Sequence, residues 1–251
     1  MKVALYGTDW ANPELAAFGR GAEASGHGVV WRNPHYWRDD EAERFGLVVL
    51  SGLHAKHSDI LRVYGAQGVP VLVLDAGYMR RDLGYWQVSL GGLNRPPSFS
   101  CESDRFDALG LTIKSAGGNP KGYRLIAGQL PRDASHGLSE AEYEAWLHAQ
   151  TGRLRRHPLL AVVPPLTDDL AGAKCVHTYC STTGLDALIA GVPATAEAPE
   201  RACWGELSGA KLPTLAARRA LCNRLAYGQW TLDEMQSGEA PAFVMEHLWH
   251  W

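Results

Sequence analysis

Short apolar runs recur along the first part of the chain, and the segments between them carry helical signals. Residues 3–6, 29–31, 47–50 and 71–74 are aliphatic, β-branched or aromatic throughout, the pattern of strands covered on both faces. Asn12-Pro13 opens a helix through residue 24, with proline at the first helical position, where its missing N–H costs nothing. Gly26-His27-Gly28 ends that helix. A second helix is expected over about 58–66, and Gly68-Val69-Pro70 turns into the fourth strand. Strand, helix and strand in this order predict a parallel sheet with right-handed crossovers.

From 75 to 120 the regularity fails. Gly91-Gly92, Pro96-Pro97 and Gly117-Gly118-Asn119-Pro120 mark long loops with one or two short strands, and a linker near 116–121. A second α/β series follows. It begins with a strand at 123–127 and a capping box, Ser139-Glu140-Ala141-Glu142, whose helix is expected to reach about 155. Strands are expected at 160–163, stopped by Pro164-Pro165, at 174–177 and at 192–195, with a helix between the last two. The tail reads as helical over 213–227 and again after a second capping box, Thr231-Leu232-Asp233-Glu234. The predicted class is α/β, with two Rossmann-like lobes and a C-terminal helical segment. The lobes are expected at 1–118 and 119–228, with 229–251 as a helix packing across them.

Composition narrows the partners. Hydrophobic residues make up 46% and charged residues 20% of the chain, which excludes general disorder. Residues 1–120 carry 12 Lys and Arg against 13 Asp and Glu, and residues 121–251 carry 12 against 14, so neither half is a basic domain. The opening MKVALYGTDW is too short an apolar run for a signal peptide, and no stretch approaches a membrane span. Five cysteines without paired spacing read as reduced thiols, and a cytoplasmic location is expected. Cys175, His177 and Cys180 match no recognised zinc spacing, so no metal site is expected.

The most informative segment is Val176-His177-Thr178-Tyr179-Cys180-Ser181-Thr182-Thr183-Gly184-Leu185-Asp186. A strand ends here, and hydroxyls with one glycine open a helix. Free N–H groups and three hydroxyls at a positive helix end favour phosphate, and Asp186 lies one turn in, within reach of a sugar hydroxyl. Simple N-capping by Ser181 or Thr182 accounts for the same residues.

With its continuation Ala187-Leu188-Ile189-Ala190-Gly191-Val192-Pro193, this segment resembles the donor-binding segment of GT-B glycosyltransferases. It is most similar to capsule-type Kdo transferases and to a group of phage and prophage proteins. Asp75-Ala76-Gly77-Tyr78-Met79-Arg80-Arg81, followed by Val88 to Asn94, resembles that group's acidic-Gly-aromatic-x-Arg motif. Gly128-Gln129 with Asp133 resembles its "Gly-Gln-x-x-x-Asp" loop, and Gln229-Trp230-Thr231 with Glu234 its C-terminal helix start. Two departures stand out. The family's "Arg-Pro-His-Pro" after a strand survives only as Arg155-Arg156-His157-Pro158, expected before a strand. Of the acidic pair before Gly-aromatic, only Asp75 remains.

The resemblance implies an acceptor-side first lobe, a nucleotide-sugar-binding second lobe, and metal-independent sugar transfer without a cofactor; no Asp-x-Asp contradicts this. It implies donor binding by His177, Ser181, Thr182, Thr183, Gly184, Asp186, Gln129 and Arg156. Asp75 and Asp133, at expected strand ends, are the candidate bases. Tyr78, Arg80, Arg81, Asn94 and Arg95 are the candidate acceptor residues. The phage-like likeness implies a 5-hydroxymethylpyrimidine in DNA, which is the favoured acceptor, with Arg105 and Lys114 extending a basic rim. The capsule-like likeness implies a surface polysaccharide. Other readings stand beside these. Asp75 also reads as a cap of the Gly77 turn, Arg80 and Arg81 as solvated charges, and His157 as a helix cap. Trp31, Tyr36 and Trp37 read as a stacking surface or as core. A non-catalytic nucleotide-binding module fits the two departures. A dinucleotide enzyme is disfavoured by Gly7-Thr8-Asp9-Trp10, which lacks Gly-x-Gly-x-x-Gly.

Overall fold

A computed structural model describes residues 1–8, 10–39 and 43–251; Asp9, part of the Gly7-Thr8-Asp9-Trp10 segment, lies outside the described residues. In chain order the elements are β1 (Lys2–Tyr6), α1 (Pro13–Ala24), β2 (Gly28–Arg32), β3 (Leu47–Ser51), α2 (Ala55–Ala66), β4 (Val71–Ala76), β5 (Trp86–Leu90) and α3 (Asp104–Ala108). Then come β6 (Tyr123–Ala127), α4 (Glu140–His148), β7 (Arg153–Arg155), α5 (Leu166–Gly172), β8 (Ala173–Thr178), α6 (Thr183–Ile189) and β9 (Ala194–Ala196). The chain closes with α7 (Leu215–Tyr227), β10 (Gln229–Trp230), α8 (Leu232–Ser237) and α9 (Glu239–His247). Two compact units result, residues 1–105 with 224–251 and residues 106–223. The sequence pattern sets these divisions at 118 and 228 instead.

The first unit is a six-stranded sheet in the order β10-β5-β4-β3-β1-β2. β1, β2, β3 and β4 pair in parallel, as the alternation of strands and helices predicts. β5 and β10 extend it antiparallel. Continuous apolar runs arise because alternate residues serve opposite faces. Val3, Leu5, Leu47, Val49, Leu72 and Leu74 pack against Leu15 and Phe18 of α1 and against Trp230, Met235 and Val244. Ala4, Tyr6, Val48, Leu50, Val71 and Val73 pack against Ile60 and Tyr64 of α2, with Trp37. Trp37 is therefore core, while Tyr36 beside it is exposed.

The C-terminal elements belong to this sheet's own face. Gly21 of α1 lets α8 approach so closely that a Cβ there would stand 1.9 Å from the Met235 carbonyl oxygen. Arg105 locks the return. Its guanidinium lies 3.8 Å from the Trp230 ring centre, donates to the carbonyls of Ala226 and Gln229 at 3.1 Å, and pairs with Glu234 at 2.9 Å. The expected basic rim thus loses Arg105, because a cation with this many internal partners is scaffolding.

The second unit is a parallel sheet, β7-β6-β8-β9. Three expectations are corrected here. The capping box at Ser139 forms as predicted, but its helix stops at His148 instead of about 155. Gly152 then takes φ 152°, and residues 153–155 form β7. Their arginines hold the buried Asp169 of α5, Arg153 at 2.9 Å, an interaction that pattern alone does not reveal. The expected strand at 160–163 is absent: Leu159, Leu160 and Val162 are exposed, and the prolines at 158, 164 and 165 lack the N–H a ladder needs. The expected linker at 116–121 is exposed but lies against this unit's own backbone, with a Cβ on Gly117 standing 2.0 Å from the Ala190 carbonyl oxygen and one on Gly118 2.3 Å from that of Ala173. Arg218 of α7 closes the unit. Almost wholly buried, it donates to the carbonyls of Lys114 and Leu188 at 2.7 Å and of Pro213 at 3.1 Å, satisfying the C-terminal end of α6.

His57, in the first turn of α2, links pH to stability. Burial, and then the neighbouring His54, push its pKa down from 6.5 to about 4, against a hydrogen bond with the Gly52 carbonyl. The unfolded chain therefore binds this proton more readily than the folded one. Its contribution is complete above about pH 6.5 and is lost as the pH falls from there to about 4, by about 3 kcal/mol in all. Urea unfolding at pH 7 and pH 4.5 should show a steeper loss for the wild type than for His57→Gln; equal slopes would remove His57 from the account.

Candidate functional site

In an open parallel sheet, ligands bind where neighbouring strand ends send their connections in opposite directions. In the second unit β6 connects to β7 on one side and β8 connects to β9 on the other, so this place lies between the ends of β6 and β8. The residues there are Gly128 to Ser135 and Tyr179 to Thr183, two of the segments singled out by sequence.

One buried side chain joins the two loops. Gln129 Oε1 accepts from Cys180 N at 2.9 Å, and Gln129 Nε2 donates to Ser135 Oγ at 3.0 Å. Its backbone N–H donates to the Tyr143 hydroxyl, and Tyr143 stacks on His136 at 4.6 Å. Asp133 accepts from Ser135 N at 2.9 Å and lies 3.4 Å from Gln129 Nε2. It is half-buried and holds its own loop. Burial raises the Cys180 thiol pKa, so this cysteine stays protonated.

The hydroxyl run is only in part open to a ligand. Ser181 Oγ accepts from Thr183 N at 3.2 Å, and Gly184 N donates to the Ser181 carbonyl at 3.1 Å. The expected row of free N–H groups is thus largely used internally, with Ser181 as a local cap. The side chains of Ser181, Thr182, Thr183 and Asp186 are half-exposed. Gly184 has a packing reason: a Cβ there would stand 1.9 Å from the Trp204 ring, whose Nε1 donates to the Ser181 carbonyl at 2.9 Å. His177 is engaged on both nitrogens, with Thr195 Oγ1 at 2.8 Å and Glu197 Oε2 at 3.4 Å. Burial, followed by Arg124, lowers its pKa; Glu197 opposes them.

Arg156 and His157 directly follow β7, so this Arg-x-His-Pro likeness does come after a strand, contrary to the expected order. Both line a cavity of about 140 Å³ together with Gln129, Pro131 and Tyr143. Arg156 is exposed and has no hydrogen-bond or ion-pair partner among the described residues.

The candidate acceptor residues lie in the first unit. Tyr78 is fully buried, with its hydroxyl 2.7 Å from Ser89 Oγ, so it belongs to the framework and not to a binding surface. Ser89 Oγ donates to Gln87 Oε1 at 2.9 Å, which also accepts from Asn94 N at 3.0 Å; Gln229 Oε1 accepts from Met79 N at 2.9 Å. Three of the recognised segments, 75–81, 88–94 and 227–234, are therefore one hydrogen-bonded network. Arg80 has φ 47° and pairs with Asp82 at 3.1 Å. Asn94 has φ 61°, and Arg81 and Arg95 are exposed. Asp75 is the penultimate residue of β4 and accepts from Ala76 N at 2.7 Å. Sequence reading missed the pair formed by Glu14 and Ser51 in this unit. An acidic residue in a helix's first turn looks ordinary until its burial is known.

No protein-family model matches the chain, and no curated protein sequence matches it. Solved structures do. The chain is similar to Thermosulfurimonas dismutans KpsC, beta Kdo 2,7 transferase, at 15% identity and TM-score 0.52, covering 96% of this chain and 99% of that one. It is also similar to Thermosulfurimonas dismutans KpsC, beta Kdo 2,4 transferase, at 15% identity and TM-score 0.51, covering 88% and 90%. The fold is of the GT-B type. Among the described residues no helix is long and apolar enough to cross a membrane.

Gln129→Ala would leave the Cys180 N–H and Ser135 hydroxyl without this partner. A loss of about 2 kcal/mol in urea unfolding is expected. Gln129→Met, which fills the same space without the hydrogen bonds, should lose about as much. Near-wild-type stability in Gln129→Met would show that the cavity matters and the hydrogen bonds do not.

Proposed function

We propose that this chain is a glycosyltransferase that moves a sugar from a nucleotide-sugar donor to a hydroxyl acceptor. The observation that carries the reading is the Gln129 tie, which holds two loops together where an α/β sheet takes its ligand, beside hydroxyls and a free arginine. Transfer forms a bond from the acceptor oxygen to the anomeric carbon and breaks the bond from that carbon to phosphate. The departing phosphate needs hydrogen-bond donors. Arg156 and the hydroxyls of Ser181, Thr182 and Thr183 are suited to that task without a resident metal, and Asp186 to a ribose or sugar hydroxyl. His177 acts as a positioning residue through Thr195 and Glu197. Asp75 and Asp133 remain the proposed proton acceptors. The likeness to two Kdo transferases agrees with this reaction class.

For the acceptor we favour a saccharide hydroxyl. A hydroxymethylpyrimidine in DNA would draw on the exposed Arg81 and Arg95, but Arg105 turns inward and Arg80 shares its charge with Asp82. A polyanion needs a wider set of cations than these.

A panel of nucleotide sugars, tested against oligosaccharides and hydroxymethylated DNA with products read by mass spectrometry, decides the matter. A gain of one sugar on a saccharide is expected, unchanged by EDTA, with Arg156→Ala slower by about 100-fold. Gain only on DNA would reverse the acceptor. Neither transfer nor nucleotide release from any donor would point to a non-catalytic binding module.

A further inference from the structure

The reading above leaves one buried cluster of the first unit unused. Here β1 connects toward β2 and β3 toward β4, on opposite sides, so the ends of β1 and β3 flank this unit's own ligand crevice. Tyr6 pairs with Leu50, which sets Gly7 and Ser51 beside each other at those ends.

Two side chains there have half of their hydrogen-bonding capacity committed. Asn12 folds over Gly7: its Oδ1 accepts from Thr8 N at 3.1 Å, and a Cβ on residue 7 would stand 2.6 Å from that oxygen. Its Nδ2 has no partner among the described residues. Ser51 Oγ donates to Glu14 Oε1. The serine proton is thereby committed, and its lone pairs remain available. Both residues are half-exposed.

The surroundings select the ligand. Glu14 is 2% exposed, and its second oxygen has no partner among the described residues. His57, 3% exposed and held through Nδ1 to the Gly52 carbonyl at 3.0 Å, has a buried Nε2 without a partner. Neither buried atom is open to a ligand, but the free donor of Asn12 and the open lone pairs of Ser51 are, and together they suit a ligand that brings hydroxyls. The carboxylate repels an anion.

We propose that the ends of β1 and β3 bind neighbouring hydroxyls of an uncharged sugar, one accepting from Asn12 Nδ2 and the other donating to Ser51 Oγ. Adjacent strands lie about 4.8 Å apart, a gap that two neighbouring hydroxyls with their hydrogen bonds can bridge. Glu14 is the positioning residue: it turns the Ser51 proton inward, so that the serine receives a hydroxyl. The inference rests on the sugar-transfer reading only in choosing a sugar among polyols.

Backbone amide NMR of the isotope-labelled full chain tests it. The probes are methyl α-D-mannopyranoside, methyl β-D-galactopyranoside and methyl β-D-glucopyranoside, with inorganic phosphate as the anion control. The amides of Gly7, Thr8 and Gly52 should shift with at least one glycoside and not with phosphate. Ser51→Ala should weaken that response about tenfold. Asn12→Ala should do the same, and if it disturbs α1, Ser51→Ala answers alone. No glycoside response, a stronger response to phosphate, or wild-type affinity in Ser51→Ala overturns the proposal. UDP, followed at Gln129 and Cys180 in the same sample, reads the second unit separately. Its failure would count against the transferase reading and leave the sugar crevice standing.

Discussion

A side-chain amide at a strand end supplies a donor and an acceptor at once, and the loops of this protein depend on that. Parallel strands stop with backbone groups facing the loops that follow, and those groups need partners wherever water is excluded. Gln129 meets the Cys180 N–H and the Ser135 hydroxyl together. In the other unit, Gln87 takes the Asn94 N–H and Gln229 the Met79 N–H. Each glutamine converts a flexible connection into one of fixed position. Orientation of reacting groups requires such fixity before any chemistry begins.

The same economy explains why residues in functional-looking motifs turn out to be framework. Tyr78 is a buried hydroxyl in a chain of hydrogen bonds, and Gly184 makes room for an indole. His177 is held from both sides. What these residues position lies next to them, in the half-exposed hydroxyls after β8 and in Arg156 after β7.

β1, β3 and β4 were legible because burial on both faces writes continuous apolar runs, as in 3–6, 47–50 and 71–74. Both capping boxes were legible because the motif is local. β7 was not: three residues, two of them arginine, carry no strand period, and what fixes them is Asp169 across the fold. The run at 160–163 misled because a short apolar segment reads alike in a strand and in an exposed proline-bounded loop. At the candidate site, the motif containing Ser181 announced itself. The pair of Glu14 and Ser51 did not, since its members lie 37 positions apart and neither belongs to a recognisable pattern.

The first unit is written in two pieces. Its sheet gains β10, and its core gains Trp230, Met235 and Val244, only from residues 224–251. On the ribosome the second unit, continuous from 106 to 223, emerges whole while the first still lacks an edge strand and the cover for one sheet face. The first unit is begun before the second but completed after it. The interval between exposes an unpaired β5 edge and an apolar surface, the features that recruit chaperones and favour misassembly.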